Sequence, residues 1–143
     1  MPDAPDAPYR DLMLASFVNL ANQAAIGELG VSLLVSSGWL TGQLVGARLW
    51  FEGLAQSLDA TGSTGGFGDV MRMVGAQVYP SESERMAAGD VEEETNLPAF
   101  VHLKDAYVIH PDGRRVPTHG GYVRVRVDAV AGWMLGRIGP SPT

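Results

Sequence analysis

Cysteine is absent from the 143 residues. A disulfide framework, a thiolate metal site and cysteine catalysis are thereby excluded, and nothing requires an oxidising compartment. Long apolar runs are missing as well: none approaches the roughly 18 residues that span a bilayer. The opening MPDAPDAPYR lacks the basic region ahead of an apolar run that marks a secretory signal, so a soluble, cytoplasmic protein is expected. Basic residues are few, 10 Lys and Arg against 16 Asp and Glu, for a formal net charge of −6. The imbalance is uneven. Residues 1–51 carry two basic and four acidic side chains, residues 52–99 two and nine, and residues 100–143 six and three. An acidic middle repels phosphate and argues against a nucleic-acid footprint. It also permits attraction between unlike regions of neighbouring copies.

What is present reads as one domain of α+β class. Residues 1–8 alternate Pro, Asp and Ala and are expected to be a mobile arm. From residue 9 to 26, Tyr9, Met13, Phe17, Leu20 and Ala24 recur at helical spacing, with Asp6 as a candidate cap, so an amphipathic helix is expected. Residues 30–35 and 39–45, joined at Ser36-Ser37-Gly38, read as a hairpin, and Gly42 inside its second strand marks a bulge or bend. Ala47, Trp50, Phe51, Leu54 and Leu58 then return to helical intervals, with both aromatics expected in the core. Residues 9–58 thus supply a helix, a hairpin and a short helix. Residues 59–96 form a flexible acidic insert, within which residues 69–78 offer a short helix with Met residues on its surface. Residues 97–139 are the C-terminal strands. There Val101 and Leu103 alternate with His102 and Lys104, and Val123, Val125 and Val127 alternate with Arg124 and Arg126; one face is core, the other wet. His110-Pro111-Asp112-Gly113 has turn chemistry, which makes the two strands antiparallel neighbours. The expected architecture is an N-terminal helix packed on a small, strongly bent antiparallel sheet.

No catalytic constellation emerges. His102, His110 and His119 stand near Asp105 and Asp112, but their spacing matches no ligand motif. G-x-S-x-G is absent, and DATGSTGGFG over residues 59–68 lacks the ending of a P-loop. The carboxylates of the acidic run have no rigid element to hold them in catalytic geometry. No enzyme, cofactor or metal is therefore expected. Arg114, Arg115, Arg124, Arg126 and Arg137 make a basic set on and around the last strands. Arg124 and Arg126, with Glu92, Glu93 and Glu94 of the insert or of another copy, are the candidate interaction residues. Unpaired sheet edges also template assembly, so self-association is expected ahead of turnover.

Two stretches carry a family likeness: GVSLLVSSGWLTGQLVGARLWFE from Gly30, and LPAFVHLKDAYVIHPDGRRVPTHGGYVRVRVDAVAGWMLG from Leu97. Together they resemble gas vesicle accessory proteins of the GvpU type. The matching positions are His102-Leu103-Lys104-Asp105-Ala106, Pro117, Arg124, Arg126, Val130, Gly132 and Gly136, with the His-Leu-Lys-Asp-Ala strand the most specific. The resemblance implies a non-enzymatic protein associated with gas vesicles that helps their assembly or clustering by contact with the shell or with other accessory proteins; a homo-oligomer is expected from the sheet edges and the charge asymmetry alone. The order helix, hairpin, hairpin, final strand also resembles an Sm-like partial barrel. That alternative implies an oligomeric binder of RNA or another polyanion, although the Asp-x-x-Asn and Arg-Gly loop residues are not recognisable. Fold analogy does not by itself transfer binding.

Overall fold

The computed structural model describes residues 11–23, 27–60, 66–79 and 98–139. Helix α1, Leu12–Asn22, begins directly after Asp11, whose backbone is extended. Asp11 Oδ1 accepts the backbone N–H groups of Met13 and Leu14, both at 3.0 Å, which satisfies two donors that a helix start leaves orphaned. Its other oxygen accepts Trp133 Nε1–H at 2.8 Å. The cap is thus Asp11 rather than the expected Asp6, which lies outside the described residues. The Leu14 N–H and then the Trp133 indole hold the Asp11 carboxyl below its ordinary range. Asp11→Ala is expected to cost about 1–2 kcal/mol in denaturant unfolding, the value of an N-cap plus a tertiary hydrogen bond, with Asp11→Asn recovering part of it.

The inner face of α1, Leu14, Ala15, Val18 and Ala21, is buried against a five-stranded antiparallel sheet. Its strands are β1 (Leu29–Val35), β2 (Gly38–Leu44), β3 (Phe100–Ile109), β4 (Arg115–Arg126) and β5 (Gly132–Leu135), in the order β4-β3-β2-β1-β5. The sheet is open: β4 and β5 are its edges, and the partial barrel does not close. Both turns fall where their residues require, with Gly38 at positive φ after Ser36-Ser37 and Gly113 at positive φ in the His110–Arg114 connection. The expected bulge is present, since the β2–β3 register shifts between Thr41 and Gln43. A Cβ at Gly42 would lie 2.8 Å from Ala106 Cβ and 3.1 Å from the Lys104 carbonyl. Only glycine lets the strands approach this closely. Opposite, Asp105 takes φ +50° and Gly120 φ +75°, and the β3–β4 register shifts on both sides of Ala106.

Val31, Leu33, Leu44, Val101, Leu103 and Val127 fill the layer beneath α1. Two buried hydroxyls lie on the opposite face of the hairpin. Ser32 Oγ lies 3.0 Å from Thr41 Oγ1 and 2.8 Å from the Gly136 carbonyl, and Ile138 N–H donates to Thr41 Oγ1 at 3.0 Å. The tail after β5 is therefore stapled to the β1–β2 hairpin on either side of Arg137.

The other side of β3 is covered too. Helix α2, Ala47–Ala60, buries Ala47, Trp50, Phe51 and Ala55, and helix α3, Phe67–Val78, packs on it through Gly68 and Gly75. Arg72 of α3 bridges to Glu52 at 3.2 Å, Asp59 at 2.8 Å and Asp69 at 3.1 Å. The span expected as a flexible insert thus contains a packed helix, two residues longer at its start than the reading of 69–78. Residues 61–65 and 80–96 of that span lie outside the description. The wet face expected for His102 is also corrected. The side chain is 1% exposed beneath the α2–α3 layer, because a helical pair inserted between β2 and β3 covers the strand face that alternation alone assigns to solvent.

Candidate interaction site on strands β3 and β4

In β4, Val123 and Val125 pack into the core while Arg124 and Arg126 point away, as the alternation requires. The register sets Arg124 opposite His102 and Arg126 opposite Phe100. Arg124 is caged by neutral groups. Its Nε–H donates to His102 Nε2 at 3.1 Å, Nη2 donates to Tyr79 Oη at 2.9 Å, and the guanidinium lies 3.6 Å from the centroid of the Phe100 ring. Stacking on an aromatic face favours the cation, but among the described residues no carboxylate pairs with it. Arg126 differs: its Nη2 donates to Asp128 Oδ2 at 2.6 Å, so its charge is answered locally.

His102 is the centre of this cage. Burial, and then the charge of Arg124, push its pKa down to about 4. Because Nε2 accepts from Arg124, the neutral ring carries its proton on Nδ1. That atom is buried without a conventional partner, and the rings of Trp50, Tyr79 and Phe51 stand 5.2, 5.4 and 6.0 Å away, centroid to centroid. An N–H facing aromatic rings finds only a weak acceptor. Trp50 in turn donates its indole N–H to the Leu103 carbonyl at 2.9 Å.

Of the five expected interaction residues, the structure places Arg124 and Arg126 together on one strand face. Glu92, Glu93 and Glu94 lie outside the described residues. Tyr79, directly before the undescribed 80–97, and Phe100, just after it, both touch Arg124, so both roots of the acidic segment are at this end of β3.

At the far end of β3 the arrangement is different. Tyr107 is buried, and its hydroxyl donates to the Ile138 carbonyl at 2.8 Å. Two guanidiniums share its ring, Arg115 at 5.0 Å and Arg137 at 5.5 Å from the centroid. Arg137 also donates to the Asp105 carbonyl. Among the described residues neither arginine has a carboxylate partner, whereas nearby Arg114 is bonded to Asp112 at 2.7 Å and Lys104 to Glu28. Sequence reasoning placed both arginines in a basic set but not around one tyrosine. Arg137 is 30 residues from Tyr107, and no local pattern links them.

His110 and His119 are exposed and do not converge with His102, and among the described residues no group of three or more His, Asp or Glu is placed to hold a metal ion. A recess of about 230 Å³ between α2 and α3, lined by residues including Arg48, Phe51, Glu52 and Arg72, falls below the roughly 300–1,000 Å³ of ligand pockets. Among the described residues no helix is long and apolar enough to cross a membrane.

Compared with known proteins, residues 11–138 match the model of a family described as gas vesicle protein GvpU-like. The match runs from the α1 cap, through both layers and the arginine sites, to the stapled tail. No curated protein and no solved structure matches the chain.

Proposed function

We propose, from the premise that the chain belongs to the GvpU-like family of gas vesicle proteins, that it is a non-enzymatic accessory protein acting by protein–protein contact in gas vesicle assembly or clustering. The observation that carries the reading is the extent of the match, residues 11–138, which takes in the whole described core. The surface suits contact work. It offers two sheet edges, an outward apolar face on α3 formed by Phe67, Val70, Met73 and Val78, and arginines that have no carboxylate partner among the described residues. Its partners in this reading are the vesicle shell or other accessory proteins, in the cytoplasm, with residues 80–97 tuning association by charge.

Co-sedimentation of the purified protein with intact gas vesicles across a salt series tests this. Saturable binding is expected, and its decline with salt measures the share that charge carries. Deleting residues 82–94 is expected to change vesicle clustering or solubility while leaving the thermal midpoint nearly unchanged. A large fall in that midpoint would make the segment part of the core and end the tuning role. Absence of vesicle binding, together with salt-sensitive RNA binding lost in Arg124→Ala/Arg126→Ala, would replace the accessory reading with the polyanion one.

A further inference from the structure

We infer that Arg115 and Arg137, held around Tyr107, form a carboxylate receptor for the Glu92-Glu93-Glu94 run of a second copy of this chain. Three observations lead there. The receptor is built by the fold from three separate segments: Arg115 opens β4, Tyr107 lies in β3, and Arg137 sits in the tail. The Tyr107 hydroxyl is fixed by the Ile138 carbonyl, and the tail is stapled at Gly136 and Ile138 by Ser32 and Thr41. Gly30 leaves room for the Arg137 stem, since a Cβ there would lie 3.0 Å from Arg137 Cγ. Arg137 is thus ordered before any partner arrives, with Arg115 beside it on the same ring.

The second observation is their charge. Two guanidiniums share one ring with no carboxylate among the described residues to neutralise either. Asp105 offers Arg137 its carbonyl, and Asp112 is occupied by Arg114. Such a pair attracts acids and suits carboxylates in particular, because each planar guanidinium donates two parallel hydrogen bonds to the two oxygens of a carboxylate. In an extended chain, carboxylates two residues apart project to one side about 7 Å from each other, a spacing suited to two guanidiniums held about one ring.

The third observation is where the complementary charge originates. Residues 80–97 contain six acidic side chains and one basic, and the segment's roots, Tyr79 and Phe100, are at the Arg124 end of β3. Arg115 pairs with Ile109 at the opposite end, about 30 Å away along ten residues of strand. The eight residues from Phe100 back to Glu92 span at most about 28 Å when fully extended, which leaves the distant pair for another copy. The contact is heterologous, with each copy offering one acidic segment and one receptor, so it propagates as an open chain instead of closing as a two-fold dimer. This inference goes beyond the vesicle reading and stands without it, because it concerns the protein alone.

The test is self-association of the full chain by sedimentation velocity at low and high salt. Wild type is expected to form concentration-dependent oligomers that dissociate as salt rises. Arg115→Gln/Arg137→Gln and, separately, Glu92→Gln/Glu93→Gln/Glu94→Gln are each expected to weaken association about 10-fold. Mixing the two variants, at a concentration where neither associates alone, should restore a one-to-one dimer, because the first keeps the glutamates and the second the receptor. Should the double arginine variant fail to fold after losing the Asp105 tie, Arg115→Gln alone is expected to weaken association about 3-fold. A wild type that stays monomeric at low salt, arginine variants that associate like wild type, or a mixture that forms no dimer would each overturn the proposal. Vesicle binding by a strictly monomeric protein would overturn it while leaving the proposed function intact.

Discussion

Trp50→Ala is expected to lower the unfolding free energy by about 4 kcal/mol, read from the urea midpoint at unchanged slope. Trp50 joins the two sides of the molecule. Its ring meets Phe51 at 4.9 Å, His102 at 5.2 Å and Tyr122 at 6.1 Å, all edge to face, and its N–H holds the Leu103 carbonyl. Truncation opens a cavity in the aromatic layer, removes ring contacts worth about 0.5–1.5 kcal/mol each, and leaves a buried carbonyl without its donor. Trp50→Phe keeps most of the ring and loses the hydrogen bond, so about 1–2 kcal/mol is expected. The difference between the two variants separates packing from bonding. A loss below about 1 kcal/mol in Trp50→Ala would mean that the α2–α3 layer unfolds apart from the sheet.

Acidification is the second large effect. His102 titrates at about 4 in the folded protein against an ordinary 6.5. As pH falls below 6.5 the unfolded chain takes up this proton first, so it holds more protons than the native state and stability declines. The contribution is complete above pH 6.5 and gone by about pH 4, a loss on the order of 3 kcal/mol. Every group facing the ring works the same way. Trp50, Phe51 and Tyr79 supply no counter-charge, and Arg124 repels the protonated form. The lowered carboxyls of Asp11 and Asp112 act in a different window, since what they add persists until pH drops below their ordinary 3.8. Denaturant unfolding measured from pH 7 to 4 is therefore expected to slope for wild type and to be nearly flat over that range for His102→Gln, whose amide can still accept from Arg124. A sloping His102→Gln profile would assign the effect to another group.

The elements that were legible in the sequence are those whose cause is local. Helix α1, the β1–β2 turn at Ser36-Ser37, α2 and the β3–β4 connection at His110-Pro111-Asp112-Gly113 each rest on side-chain period or turn chemistry within a few residues. Gly42 marked its bulge because glycine inside a strand has few other uses. The α1 cap was not legible, since an apolar period read from Tyr9 points to Asp6, whereas the residue that caps the helix, Asp11, also accepts the indole N–H of Trp133 more than a hundred residues away. The packing of α3 was hidden for a related reason. Its inner face is built on Gly68 and Gly75, with Val74 against the aromatic cluster, while Phe67, Val70, Met73 and Val78 are exposed, so most of the apolar pattern by which a buried helix face is recognised faces outward.

Sequence alone determined the α+β class, the hairpins, the scarcity of basic residues outside the last strands, and the likeness to gas vesicle proteins carried by His-Leu-Lys-Asp-Ala. Tertiary structure alone decided which side chains meet. It buried His102 under an inserted helical pair, engaged Arg124 with neutral partners, and gathered Arg115, Tyr107 and Arg137 at one end of an open sheet. The division follows from range. Periodicity and turn preference are near-neighbour energies, readable along a line, whereas burial and charge pairing depend on strand register and layer packing between residues from 8 to more than 100 positions apart.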